Sequence, residues 1–94
     1  MPVGLMTILI ELPGCASLKE KRSRLKPLLA RLHREFNISA AEVDFQDRWQ
    51  SASIACAVVS IDERHNQRVL QETVNWIAHY WPDVEIISER YETR

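Results

Sequence analysis

Ile38-Ser39-Ala40-Ala41-Glu42-Val43-Asp44-Phe45-Gln46-Asp47-Arg48-Trp49-Gln50-Ser51-Ala52-Ser53-Ile54-Ala55-Cys56-Ala57-Val58-Val59 is the stretch on which the fold turns. Residues 38–46 alternate well enough for a half-buried strand, and residues 50–59 form a second run rich in small and branched apolar side chains. About four residues around Asp47-Arg48-Trp49 separate them, the length of an antiparallel hairpin connection. These are β2 and β3 of the sequence reading.

Helices flank the hairpin on both sides. Upstream, Ser17-Leu18-Lys19-Glu20 has the capping-box form, in which a Ser and a Glu side chain satisfy free backbone N–H groups at a helix start. Leu18, Leu25, Leu28, Leu29, Leu32 and Phe36 follow at helical spacing as the apolar stripe of α1. Pro27 lies inside that stripe and removes a backbone donor, which predicts a kink or a break. Asn37 is placed for a left-handed helix stop. Downstream, Ser60-Ile61-Asp62-Glu63 repeats the capping-box pattern and opens α2, whose stripe is Leu70, Val74, Ile77 and Trp81. Val69, Trp76 and Tyr80 flank it, and Pro82 ends it.

The outermost elements are strands. Residues 3–12, rich in branched aliphatics and closed by Pro13-Gly14, form β1, and residues 84–91 form β4. The order β-α-β-β-α-β is two crossovers sharing a central hairpin, the ferredoxin-like split arrangement. The expected architecture is one α+β domain over residues 1–94. Its antiparallel sheet has order 4-1-3-2, with both helices on one face. The other face should carry Leu5, Thr7 and Leu9 with Ala55, Ala57 and Val59, an apolar patch that suits a covering partner or a homodimer. A right-handed crossover makes β2 parallel to β1, so residues 13–22 and 44–50 should meet at one end, joined by the end of α2 near His79 to Trp81.

Composition is that of an ordinary globular chain, 46% apolar and 27% charged. At this length about 60–65% of the unfolded surface can be buried, enough for one modest core. Residues 3–12 are too short to span a bilayer and lack the form of a signal peptide. Cys15 and Cys56 form no CxxC and read as free thiols of a reducing compartment. Net charge is −1, but unevenly spread. Residues 17–36 hold seven basic and two acidic side chains, a net +5, and the rest holds five basic and eleven acidic, a net −6.

Ser17-Leu18-Lys19-Glu20-Lys21-Arg22, then Ala41-Glu42-Val43-Asp44-Phe45-Gln46-Asp47-Arg48-Trp49-Gln50 and Val58-Val59-Ser60, resemble the YlxP-like family of small bacterial proteins of unknown function. The resemblance covers essentially the whole chain. It implies a ferredoxin-like fold and a cytoplasmic bacterial protein. Members are often encoded beside translation-initiation and ribosome-maturation factors, which implies a ribosome- or RNA-associated role. No catalytic activity comes with the resemblance, and Pro27 departs from the helix expected for the family.

The basic face of α1 is the leading candidate for function. Lys19, Lys21, Arg22, Arg24, Lys26, Arg31 and Arg34 can neutralise RNA phosphates and release their counterions. The bland alternative is a solvated amphipathic helix whose cations pair with nearby acids. β3 lacks the aromatics with which the common RNA-recognition sheet stacks bases, so binding is expected through helix charge. Glu42, Gln46, Trp49 and Gln50, with Asp44 and Asp47, make a second patch. Glu42 and Asp44 share a strand face. These carboxylates are candidate hard-metal ligands or acid/base groups, but pairing with Lys19, Lys21 or Arg22 is the favoured reading. Trp49 is expected to be partly buried and mainly structural, with Arg22 and Asp47 as its polar surround.

His33, His65 and His79 have no metal spacing, and Cys15 has no partner His at readable spacing. No catalytic residue, metal or cofactor is assigned. Two other readings remain. Glu11-Leu12-Pro13-Gly14 with Leu18 faintly resembles the turn of small-ligand-binding regulatory domains of this topology. A metal-dependent enzyme would have to use the acidic hairpin.

Overall fold

Nine residues of alternating burial, Val3–Glu11, form the central strand β1 of the computed structural model, which describes residues 1–94. Five elements follow: α1 (Leu18–Glu35), β2 (Ser39–Asp44), β3 (Ser51–Val59), α2 (Glu63–Tyr80) and β4 (Glu85–Thr93). The sheet has order β2-β3-β1-β4 and every pairing is antiparallel. The expected ferredoxin-like α+β architecture is therefore the one observed.

Register follows from the hydrophobic alternation, because a slip of one residue would turn every side chain to the opposite face. Val3 opposes Val59 and Glu11 opposes Ser51, with no irregularity between. Met6, Ile8 and Ile10 of β1 and Ala52, Ile54, Cys56 and Val58 of β3 then face the helices. They meet Leu25, Leu28 and Leu32 of α1 and Leu70, Val74 and Ile77 of α2 in one core. Phe36, Trp76 and Trp81 pack against it, with the Trp76 ring edge-on to Phe36 and stacked on Trp81. On the opposite face Leu5, Thr7, Leu9, Ala55 and Ala57 are half-buried and Val59 is exposed, the placement the alternation predicts.

The helix ends depart from the sequence reading in two places. Ser17 does cap α1, its Oγ accepting the Glu20 N–H at 3.0 Å. α2 is capped by Asp62 rather than Ser60, with the Arg64 N–H donating to Asp62 Oδ1 at 2.9 Å. A carboxylate there both accepts the free N–H and complements the positive end of the helix dipole. Ser60 instead donates to Asn66 Oδ1 at 2.7 Å and accepts the Asp62 N–H at 3.1 Å. Asn37 is not left-handed, since Phe45 is the one non-glycine residue with positive φ. α1 ends when Phe36 turns extended, its N–H still donating to Leu32 O at 3.0 Å.

Pro27 does not break α1, which is helical from Leu18 to Glu35. A proline inside a helix costs about 3 kcal/mol. The fully buried Leu28 and Leu32 beyond it, each worth on the order of 1.5–3 kcal/mol, hold the following turns on the sheet. Pro27 itself faces solvent.

The hairpin is looser than the alternation suggests. β2 ends at Asp44 and β3 begins at Ser51, leaving residues 45–50 as the connection. The β2–β3 register shifts between Glu42 and Asp44. This bulge cancels the expected shared face: Glu42 is half-buried under α1 and Asp44 is exposed.

Candidate nucleic-acid interface

Helical geometry sorts the seven α1 cations into three groups. At 3.6 residues per turn, Lys21 falls on the same side as Leu25, Leu28 and Leu32. It is 1% exposed, so it belongs to the core and not to a contact surface. Its Nζ donates to Phe45 O at 2.6 Å and lies 2.6 Å from Glu42 Oε2. The carboxylate contact is close but off the axis of an aligned hydrogen bond, so Glu42 acts as a counterion. Lys21 is thus the tie between α1 and the hairpin. The signal was in the sequence: a lysine at a position spaced four, seven and eleven residues from core leucines.

Arg24 and Arg31 lie on the side that faces α2. Arg24 Nε donates to Asp83 Oδ2 at 2.9 Å, NH2 to Asp83 O at 2.7 Å and NH1 to Pro13 O at 3.0 Å. Burial works against its charge, but the hydrogen bond and charge of Asp83 outweigh it and raise the guanidinium pKa. Arg24 therefore fastens the β1–α1 loop to the α2–β4 turn, so α2 joins this end through Asp83 rather than His79. Arg31 pairs with Glu35 at 3.1 Å and lies 5.5 Å from the Trp76 ring centre. Neither arginine is free for phosphate.

Lys19, Arg22, Lys26 and Arg34 are exposed, and none forms an ion pair within the domain. The first three project within about 60° of one another around the axis. With Ser23, Leu25 and Leu29 they line an open groove of about 420 Å³. Arg34 stands apart, about 12 Å beyond Lys26 along the axis and rotated from it by about 80°.

The second patch is assembled by Lys21. Residues 13–22 and 44–50 do meet: besides the Lys21 contacts, the Leu12 N–H donates to Gln50 O at 2.8 Å and Gln50 Nε2 to Cys15 O at 3.4 Å. Phe45 is held at φ 62°, a region unfavourable to a large side chain. Three hydrogen bonds compensate. Asp44 Oδ1 accepts its N–H at 2.8 Å, while its carbonyl accepts from Lys21 and from the Arg48 N–H at 2.9 Å. The Arg48 guanidinium covers the Phe45 ring at 4.6 Å.

Trp49 is more exposed than the sequence suggests, at 53%, and stacks on no other ring of the domain. Asp47 lines the same shallow pocket, but neither it nor Arg22 is hydrogen-bonded to the indole. Among the three carboxylates only Glu42 meets an α1 cation; Asp44 bonds the Phe45 N–H, and Asp47 is exposed. They are not gathered into a group able to hold a metal ion. Gln46 is exposed beside them.

His33, without metal spacing in the sequence, has a structural place instead. Its ring nitrogens lie 3.2 Å from Ile38 O and 3.2 Å from Ala40 O, pinning the end of α1 to β2. Both cysteines are buried and free, and burial pushes the Cys56 thiol up to about 12. No helix is long and apolar enough to cross a membrane.

A family described as "Protein of unknown function (DUF503)" matches residues 3–91. The chain is also 38% identical over 76 residues to "Uncharacterized protein YlxP" of Bacillus subtilis (strain 168), covering 81% of this chain and 82% of that one.

Proposed function

The chain belongs to the DUF503 family, the YlxP-like proteins, and we propose that it is a non-enzymatic, cytoplasmic, ribosome- or RNA-associated accessory factor that holds RNA phosphates in the α1 groove. The observation that supports this most is the separation of cations by role. In a chain of net charge −1, Lys21, Arg24 and Arg31 are consumed by internal partners. Lys19, Arg22 and Lys26 are left unpaired, side by side in one groove. Three unpaired cations on a narrow sector match the spaced anionic backbone of a nucleic acid, where each contact gains from counterion release.

A second contact is self-association through the open sheet face. Leu5 and Leu9 beside Ala55, Ala57 and Val59 support it, being more apolar than a surface bathed on all sides by water requires.

Co-sedimentation with isolated ribosomal subunits over a salt series tests the association. The protein should travel with a subunit at low salt and be released progressively as salt rises. Failure to co-sediment with either subunit or with total RNA at low salt would refute the reading.

A further inference from the structure

Trp49 is one of the large apolar side chains that the domain leaves exposed, and the only tryptophan among them. More than half of its surface is open to solvent, leaving a large ring face free to take a partner. Its surroundings are specific. The 45–50 connection is locked by the Lys21 tie, by the three hydrogen bonds at Phe45 and by Gln50 Nε2 on Cys15 O. The Arg48 guanidinium lies over the Phe45 ring. Asp47, Arg48, Trp49, Gln50 and Ser51 together line a shallow pocket of about 500 Å³. The platform is therefore rigid, aromatic and cationic at one edge, with an exposed carboxylate at another.

We infer that this pocket is a subsite for one unpaired RNA base, stacked on Trp49 and read at its edge by Asp47. This rests on the phosphate groove proposed above and extends it. The pocket lies at the end of the domain where Lys21 ties the hairpin to the first turns of α1, the turns that also carry Lys19 and Arg22 of the groove.

The chemistry of the lining selects the occupant. A carboxylate beside the ring repels a phosphate, which argues that the pocket takes the base and not the backbone. An ionised carboxylate only accepts hydrogen bonds, so Asp47 favours bases that present an exocyclic amino group, such as cytosine or adenine, over uracil. Duplex RNA hides those faces in its stack, whereas a single strand can splay a base onto an aromatic ring. The predicted ligand is single-stranded RNA carrying an amino-bearing base.

The test uses the intact protein and labelled RNAs of about twelve nucleotides, oligo(C), oligo(U) and a duplex of equal length, followed by fluorescence anisotropy. Base–aromatic stacking predicts that Trp49→Ala weakens oligo(C) binding about tenfold while Trp49→Phe keeps most of it, and that duplex binding is unchanged in both. Asp47→Asn should narrow the preference for oligo(C) over oligo(U). Thermal melts of each variant should stay close to the parent, which separates loss of a contact from loss of the fold. Unchanged oligo(C) binding by Trp49→Ala would overturn the base subsite and leave the ring as an anchor for a protein partner. Equal binding of oligo(U) and oligo(C) by the parent would overturn the role of Asp47. If Lys19→Glu still weakens RNA binding in either case, the phosphate groove stands and only the subsite falls; if the parent binds no RNA, both fall.

Discussion

Replacing Lys21 with methionine keeps a long unbranched chain among Leu25, Leu28 and Leu32 but removes the ammonium. The Phe45 carbonyl then loses its 2.6 Å donor and Glu42 its counterion 2.6 Å away. That carbonyl keeps the Arg48 N–H, so what is lost is one hydrogen bond from a charged donor, roughly 1.5–3 kcal/mol. Removing one member of a fully buried pair costs roughly 3–5 kcal/mol. The Glu42 side chain is 19% exposed and can turn partly to water, which lowers the second figure. The two penalties overlap at one site, so the expected loss is about 2–4 kcal/mol. For a domain of this size each kcal/mol shifts Tm by about 4–8 °C, so a fall on the order of 10–20 °C is expected. Urea unfolding followed by far-UV circular dichroism gives the free energy directly. Glu42→Gln, which retains an acceptor for Lys21, should cost no more than about half as much. The strain at Phe45 adds a second readout: hydrogen exchange across 44–50 should quicken in Lys21→Met, since the tie that holds the hairpin is gone. A loss below about 1 kcal/mol with unchanged exchange would refute the assignment of Lys21 as the tie.

Asp62→Ala should destabilise by about 1 kcal/mol in the same assay and Ser17→Ala by a similar amount, since each removes one capping acceptor; a silent Asp62→Ala would put the start of α2 elsewhere. Both thiols should resist Ellman's reagent at pH 8 in the native protein and react fully in denaturant; rapid native reaction would contradict their burial. Because the folded Cys56 thiol is raised to about 12, the folded state holds its proton when the unfolded chain has released it. The stability it contributes is complete below about pH 9 and falls by about 1.4 kcal/mol per unit between there and 12, a slope that Cys56→Ala should remove. Sedimentation equilibrium should show a dimer that Leu5→Ser with Leu9→Ser converts to monomer; a monomer for the parent at high micromolar concentration would rule out the open face as an interface.

The fold was legible because its elements differ in period. Met6, Ile8 and Ile10 repeat every two residues, and Leu25, Leu28 and Leu32 repeat at helical spacing, so strand and helix could be told apart and the β-α-β-β-α-β order followed. The hairpin was less legible. A bulge at Val43 and a left-handed Phe45 leave no mark in a hydrophobic pattern, and the Phe45 carbonyl is held by a lysine 24 residues away. The basic face illustrates the same limit. Counting charge finds seven cations on α1 but cannot tell that Asp83, from the far end of the chain, has taken Arg24. Trp49 shows a related limit. Tryptophan is usually well buried, and only the tertiary structure shows that more than half of this one is left open to solvent.

The central claim is that three unpaired cations, and not the whole basic helix, bind RNA phosphates. Anisotropy of a labelled single-stranded RNA over a salt series tests it most directly. Three phosphate contacts predict a slope of log K against log salt of about −2. Each of Lys19→Glu, Arg22→Glu and Lys26→Glu should weaken binding and flatten the slope with little change in Tm. Arg34→Glu, equally exposed but outside the groove, should leave both nearly as they are. RNA affinity that does not depend on salt, or an Arg34→Glu loss as large as that of Arg22→Glu, would contradict the account.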